Sequence, residues 1–132
     1  MNWSTFQQEI ELLSQKIEEK FDMIVGITRG GVVPARILSS LLKVPKMVCL
    51  SVEKQGGERK VVTELLDDLS GKTILLVEDM LETGRSLIVA KHYLESKGAQ
   101  VKTACLYTMP KSDVKPDYFL KEVKKVVEFP WE

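Results

Sequence analysis

The feature that most constrains the fold is a regular alternation of short apolar runs with segments of helical periodicity. Five runs have the length and composition of buried strands, and they occupy residues 23–28, 46–50, 72–77, 101–107 and 123–127. Strands that alternate with helices pair side by side in one sheet. The sequence therefore predicts an α/β fold, with a mainly parallel central sheet flanked by helices in a Rossmann-like three-layer arrangement. Ligands of such sheets bind beyond the carboxyl ends of the strands.

Helix signals and one loop signal lie between these runs. Ser4 or Thr5 is expected to cap a first helix, and Pro34 suits the first turn of a second. A third helix is expected over residues 84–97, because the glycine that follows favours a C-terminal stop. Residues 51–60 are polar and include two adjacent glycines, which predicts a mobile lid loop.

Length, charge and cysteine content narrow the class of protein. The 132 residues fit one domain, 1–132, and the 19 acidic and 19 basic residues leave no net charge that favours nucleic acid or an anionic membrane. No apolar run approaches the ~18 residues of a membrane span, and the N-terminus lacks the pattern of a signal peptide. Two cysteines, Cys49 and Cys105, could form one disulfide. Their spacing matches no metal site, and both lie in apolar runs, which is typical of small buried residues. We expect a protein of the reducing cytoplasm.

An acidic pair follows the run at residues 72–77. Glu78 and Asp79 leave this predicted strand side by side, at the end where ligands bind. Adjacent carboxylates accept hydrogen bonds from vicinal sugar hydroxyls, or hold a hydrated Mg²⁺ ion through oxygen ligands. The same pair is also compatible with a solvated turn.

A second group of polar residues lies a few positions further on. Thr83, Gly84 and Ser86 lie where the third helix begins, so free N–H groups and small hydroxyls form an anion site suited to a phosphate monoester. Glu82 lies between this site and the acidic pair. Other phosphate loops fit less well, because Arg85 stands where a Walker loop requires Lys, and no Gly-x-Gly-x-x-Gly follows a strand. The combination predicts a site for a phosphorylated ribose and its metal ion.

Residues 73–86 resemble the phosphoribosyl pyrophosphate signature of the type I phosphoribosyltransferases: an apolar run, two acidic residues, two apolar residues, an acidic residue, Thr-Gly, a basic residue and Ser. Residues 28–36 look like that family's pyrophosphate-binding loop, and residues 116–132 are similar to the base-binding hood of the short xanthine–guanine and hypoxanthine enzymes. The resemblance implies the type I phosphoribosyltransferase fold, with a small C-terminal hood over about 108–132. It implies an Mg²⁺-dependent enzyme of nucleotide salvage that transfers ribose 5-phosphate from phosphoribosyl pyrophosphate to a nucleobase, as a homodimer or larger homo-oligomer.

The same resemblance assigns roles to individual residues. Glu82 stands in place of the family's usual Asp, which assists proton transfer at the base. The implied catalytic residues are Glu82, Asp79 and Arg29, and the implied metal ligands are Glu78 and Asp79. Ribose 5-phosphate is expected to contact Glu78, Asp79, Glu82, Thr83, Gly84, Arg85 and Ser86. Pyrophosphate is expected to contact Thr28, Arg29, Gly30 and Gly31, in a loop where the family often has a cis non-proline peptide bond.

The expected base pocket departs from the purine pattern. Met109 takes the place of the Lys that reads the exocyclic oxygen in purine enzymes, and a thioether donates no hydrogen bond. Val126 replaces a stacking Trp, and Trp131 is either a third pocket residue or a packing anchor. Lys111 is an alternative donor. The accepted base is therefore left open, as is a second function: a non-catalytic regulatory protein of the same fold that binds phosphoribosyl pyrophosphate or a nucleotide.

Overall fold

The computed structural model describes residues 1–132 and contains three helices and eight strands. The helices are α1 (Trp3–Lys16), α2 (Val32–Leu41) and α3 (Arg85–Ser96). The strands are β1 (Met23–Ile27), β2 (Met47–Leu50), β3 (Val52–Gln55), β4 (Glu58–Val61), β5 (Thr73–Val77), β6 (Met80–Leu81), β7 (Gln100–Thr108) and β8 (Tyr118–Glu122). None of the helices is long and apolar enough to cross a membrane.

Six of the strands form one sheet in which every pairing is parallel. The order begins β2-β1-β5-β7, and β7 pairs with β6 and β8 as well. Ala104 of β7 lies opposite Val77 of β5 and Tyr118 of β8, so β8 occupies the edge of β7 that β5 leaves free. The predicted mainly parallel sheet is confirmed, and it places the carboxyl ends of β1, β5 and β7 side by side.

Helices cover both faces of this sheet. α1 and α2 cover one face through buried residues such as Ile10 and Leu38, and α3 covers the other face through Leu94. Because successive side chains of a strand alternate between the faces, Leu75 of β5 packs in the core under α1 and α2, and Leu76 packs in the core under α3. Burial on both faces explains why β1 and β5 are continuous apolar runs in the sequence.

The expected lid loop at residues 51–60 is built as a β-hairpin, a regular structure that the sequence did not indicate. β3 and β4 pair antiparallel, and the turn residues Gly56 and Gly57 have φ of 59° and 84°. Two adjacent left-handed residues are what a two-residue hairpin turn of this type requires. Only Val52 and Val61, at the base of the hairpin, pack against the core. The rest of the hairpin is polar and charged, and such a sequence is also typical of a loop.

Two further expectations are corrected. The strand predicted at residues 123–127 is absent, and the last strand is β8 instead. Its Phe119 packs toward α3 and its Tyr118 packs toward α1, whereas Lys124 and Lys125 are exposed. The cap of α1 is neither Ser4 nor Thr5: the Asn2 side chain accepts a hydrogen bond of 2.8 Å from the Thr5 backbone N–H.

Replacing the cap residue tests this correction. We expect Asn2→Ala to lower the free energy of unfolding by about 1 kcal/mol, because one N–H group of the first turn loses its partner. The measurement is urea denaturation at equilibrium. Ser4→Ala is the matched control, with an expected change within about 0.5 kcal/mol. A larger loss for Ser4→Ala than for Asn2→Ala would reassign the cap.

Candidate functional site

A cleft of about 900 Å³ opens at the carboxyl edge of the sheet. Three separate segments line it, and they are residues 28–33 after β1, residues 78–80 after β5, and residues 131–132 in the C-terminal segment. It is larger than the cavity of about 630 Å³ at the end of α2. The cleft therefore lies where parallel sheets bind ligands, and it contains several of the residues that the sequence analysis selected.

The loop after β1 passes directly against the end of β5. A Cβ on Gly31 would collide with the backbone carbonyl of Val77, and a Cβ on Gly30 would collide with the Asp79 carboxylate. Only glycine allows so close an approach. The peptide bond between Thr28 and Arg29 is cis, and the Arg29 side chain is exposed. The structure thus brings the glycine loop and the acidic pair together.

The loop is also linked to the β3–β4 hairpin. The hydroxyl oxygens of Thr28 and Ser51 lie 2.8 Å apart, at hydrogen-bond distance. The Ser51 backbone N–H donates to the Thr63 hydroxyl at 2.9 Å, which fixes the base of the hairpin from its other side. No local signal in the sequence pairs these hydroxyls, because 23 positions separate Thr28 from Ser51.

Backbone hydrogen bonds hold the acidic pair rigidly. Glu78 N–H donates to the Ala104 carbonyl and Leu106 N–H donates to the Asp79 carbonyl, both at 3.0 Å. The Asp79 carboxylate accepts from the Met80 backbone N–H at 2.7 Å through Oδ1. Its Oδ2 accepts from the Trp131 indole N–H at 3.3 Å. The pair therefore has a fixed position at the point where β5 gives way to β6.

The electrostatics of the pair follow from its surroundings. Burial, and then the neighbouring Asp79 charge, raise the pKa of Glu78 to about 8. Burial also raises the pKa of Asp79, and the hydrogen bond from Trp131 partly opposes that rise. Neither carboxylate takes part in a salt bridge. The site thus holds two half-buried carboxyl groups without a basic partner, a donor set that suits a divalent cation.

The start of α3 has the geometry of an anion site. Gly84 precedes the helix with φ of 78°, and a Cβ there would lie 2.6 Å from Val114 Cγ1. Gly84 has no side chain to cap the helix, and the Arg85 N–H donates only a long hydrogen bond of 3.4 Å to the Thr83 hydroxyl. Other N–H groups of the first turn remain available to a ligand, and the helix dipole favours negative charge there. Thr83 and Ser86 are half-buried beside these groups, and Arg85 is exposed.

Sequence reasoning missed the segment that braces the loop before α3. Lys111 Nζ lies 3.0 Å from Glu82 Oε1, and Asp113 Oδ2 lies 3.5 Å from Arg85 Nε. The Asp113 backbone N–H also donates to the Thr83 carbonyl at 2.8 Å. α3 and β7 separate residues 82–85 from residues 111–113 in the chain. Only the opposite charges of these two segments could therefore have suggested that they pair.

The three expected base-pocket residues are not brought into one cavity. Trp131 lines the main cleft beside Asp79. Met109 is buried and borders a separate cavity of about 460 Å³ beyond β7. Val126 is 64% exposed and lines neither space. The main cleft therefore brings the acidic pair together with the glycine loop, whereas residues 82–86 lie outside its lining and the base residues are dispersed.

The pH dependence of stability tests the burial of Glu78. A carboxyl whose folded pKa is raised binds a proton more tightly in the folded state, so its contribution to stability is lost as pH rises from about 4.5 to about 8. We expect Glu78→Gln, without ligand and with chelator, to lose less free energy of unfolding between pH 5 and pH 9 than the parent. Urea denaturation at both pH values measures this. Equal slopes for parent and variant would contradict it, and Glu95→Gln on the exposed end of α3 is the control.

Comparison with known proteins gives consistent matches. The phosphoribosyl transferase domain model matches residues 3–132. The chain is 34% identical over 118 residues to the hypoxanthine-guanine phosphoribosyltransferase of Lactococcus lactis subsp. lactis (strain IL1403), covering 82% of this chain and 64% of that protein. It is 29% identical over 143 residues to the xanthine-guanine phosphoribosyltransferase of Gluconobacter oxydans (strain 621H), covering 100% of this chain and 83% of that protein. A crystal structure of purine phosphoribosyltransferase from Pyrococcus horikoshii Ot3 matches with a TM-score of 0.92 and 32% identity. The match covers 100% of this chain and 92% of that one.

Proposed function

This chain belongs to the phosphoribosyl transferase domain family, and we propose that it transfers ribose 5-phosphate from phosphoribosyl pyrophosphate to a purine-like nucleobase, with release of pyrophosphate. The family predicted from residues 73–86 is confirmed by the match over residues 3–132. One observation carries the proposal: the half-buried acidic pair and the glycine loop after β1 line one cleft, and the chain leads from this pair within a few residues to the start of α3.

The glycine loop is assigned to the pyrophosphate leaving group. Gly30 and Gly31 bring the backbone close to the acidic pair, and the exposed Arg29 guanidinium supplies a charged fork for phosphate oxygens. The hairpin is assigned the role of a lid that excludes water during the reaction. Lys54, Arg59 and Lys60 lie on it, and Ser51 at its base contacts Thr28 of the loop.

The acidic pair is assigned to the ribose hydroxyls and to Mg²⁺. The donor set fits this ion, because two half-buried carboxylates without a basic partner offer the oxygen ligands that Mg²⁺ prefers. A bound Mg²⁺ supplies charge neutralisation to the leaving pyrophosphate. Glu78 and Asp79 themselves hold the sugar in place, and their negative charge stabilises the oxocarbenium-like transition state.

The remaining residues act on the 5′-phosphate and the base. Thr83, Gly84 and Ser86 receive the phosphate at the start of α3, with Arg85 beside them. Glu82 moves the proton at the base nitrogen. In the absence of a donor at Met109, we assign the reading of an exocyclic oxygen to Lys111, whose Nζ lies 3.0 Å from Glu82 Oε1.

The setting of the enzyme is also part of the proposal. Cys49 and Cys105 are free thiols, which suits a reducing cytoplasm. A homodimer or larger homo-oligomer would cover the apolar side chains that α1 and α2 leave exposed, among them Trp3, Ile37 and Leu41. Residues 108–132 act as the hood over the base.

Asp79→Asn tests the assignment of the acidic pair. We expect pyrophosphate release to fall by about a hundredfold or more, because a charge aimed at the transition state is removed. Asp67→Asn removes a carboxylate of a surface ion pair with Lys46 and is the matched control, with turnover unchanged. Near-parental turnover in Asp79→Asn, with the fold intact, would refute the assignment.

Ligand binding separates the enzyme from the regulatory alternative, which the dispersed base residues Met109 and Val126 favour. Phosphoribosyl pyrophosphate at about a hundredfold over its dissociation constant should stabilise the protein by about 2.7 kcal/mol, seen as a rise of several degrees that requires Mg²⁺. Pyrophosphate release with any base in a panel establishes the enzyme. Binding of phosphoribosyl pyrophosphate without pyrophosphate release, whichever base is added, would favour the regulatory function. The absence of any thermal shift would contradict both the enzyme and the regulatory function.

Lys111→Met tests the proposed base contact. We expect kcat/KM for a 6-oxopurine to fall by roughly tenfold to a hundredfold. The thermal shift with phosphoribosyl pyrophosphate should stay parental, because Asp113 still braces the loop through Arg85 and the Thr83 carbonyl. Lys102→Met removes the same charge near the amino end of β7 and should change neither quantity. An unchanged kcat/KM in Lys111→Met would show that another group reads the base.

A further inference from the structure

The indole of Trp131 is held in place by other aromatic rings. It stacks on Phe129 with ring centroids 4.9 Å apart and an angle of 7°, and it meets Phe6 of α1 edge to face at 4.8 Å. Phe129 in turn stacks on Tyr107 of β7 at 5.8 Å, and the Tyr107 hydroxyl donates to Glu9 of α1. Aromatic pairs in these geometries contribute beyond the area they bury, so the orientation of the indole is fixed from both α1 and β7.

The polar atom of this fixed ring points at the acidic pair. Trp131 Nε1 donates to Asp79 Oδ2 at 3.3 Å, while Oδ1 of the same carboxylate accepts from the Met80 backbone N–H at 2.7 Å. Each carboxylate oxygen keeps a further lone pair, and both Asp79 and Trp131 line the cleft. The hydrogen bonds therefore fix the rotamer of Asp79 without using up the acceptor sites that a ligand needs.

We infer that Trp131 is a positioning residue for Asp79: its indole N–H holds the carboxylate in the orientation that receives the ribose hydroxyls and the cation. The inference deepens the proposed function and rests on it. It differs from both roles that the sequence leaves open for Trp131, a packing anchor and a platform for the base. It also makes α1 part of the support of the site, through the edge-to-face contact of Phe6 with Trp131 and the stacking of Trp131 on Phe129.

Trp131→Phe is the direct test, because it keeps the stacking and removes the N–H donor. We expect kcat to fall by about tenfold or more, which is the effect of losing a hydrogen bond to a charged group, and the KM for the base to stay unchanged. Trp3→Phe makes the same substitution in the same aromatic cluster, where Trp3 lies 6.0 Å from both Phe6 and Trp131, and should leave kcat at the parental value. A raised KM for the base with parental kcat would make Trp131 a platform. A lower midpoint of unfolding with parental kcat would make it a packing anchor. Either result overturns the inference.

A second measurement does not need the Trp131→Phe variant to fold. The chain has two tryptophans, so the Trp3→Phe protein carries a single indole N–H, that of Trp131. In its ¹⁵N–¹H spectrum we expect an indole proton that is protected from exchange and that shifts on Asp79→Asn. The inference is overturned if the indole proton exchanges freely and its chemical shift does not change on Asp79→Asn, even if the protein turns over its substrates. A protected proton in a protein that shows no thermal shift with phosphoribosyl pyrophosphate overturns the proposed function instead, and leaves the hydrogen bond as a purely structural one.

Discussion

Backbone hydrogen bonds between β1, β5 and β7 hold three distant segments in register, and the residues that follow β1 and β5 line the cleft together with residues 131–132. Gly26 of β1 lies opposite Val77 of β5, which in turn lies opposite Ala104 of β7. Because successive side chains alternate between the faces, a slip of one residue would turn the apolar set of β5 to the wrong helices. The two-sided core therefore fixes the register, and the register fixes the distance between the glycine loop and the acidic pair.

Much of this arrangement was predictable because its signals are local. A strand buried on both faces is a continuous apolar run, and the acidic pair and the Thr83–Ser86 loop follow β5 without interruption. The hairpin was missed because only Val52 and Val61 carry its apolar pattern. The contact between Trp131 and Asp79 was missed for a different reason. It joins positions 52 apart, and nothing in the neighbourhood of either residue records the other.

The acidic pair is unfavourable to the free protein, and the fold tolerates it. Burial raises the pKa of both carboxyl groups, which means that their charged forms are disfavoured until a cation or a hydroxyl-bearing ligand arrives. The neighbouring strands are apolar apart from Thr73 at the start of β5, and their burial supplies the stability that offsets this local cost. Under the proposed function a cation would balance the charge of these carboxylates, so protons and cations would compete for the same oxygens.

The sheet divides the interior into two clusters of 15 and 14 buried residues, one under α3 and one under α1 and α2. Substitutions in clusters that share no side chains tend to have additive effects on stability. The start of α3, the proposed phosphate site, rests on the cluster under α3, whereas Trp131 and its aromatic neighbours rest on the cluster under α1 and α2. Substitutions at the start of α3 and at the support of Asp79 can therefore accumulate independently, so the first region can change over evolution while the hydrogen bond to Asp79 is kept.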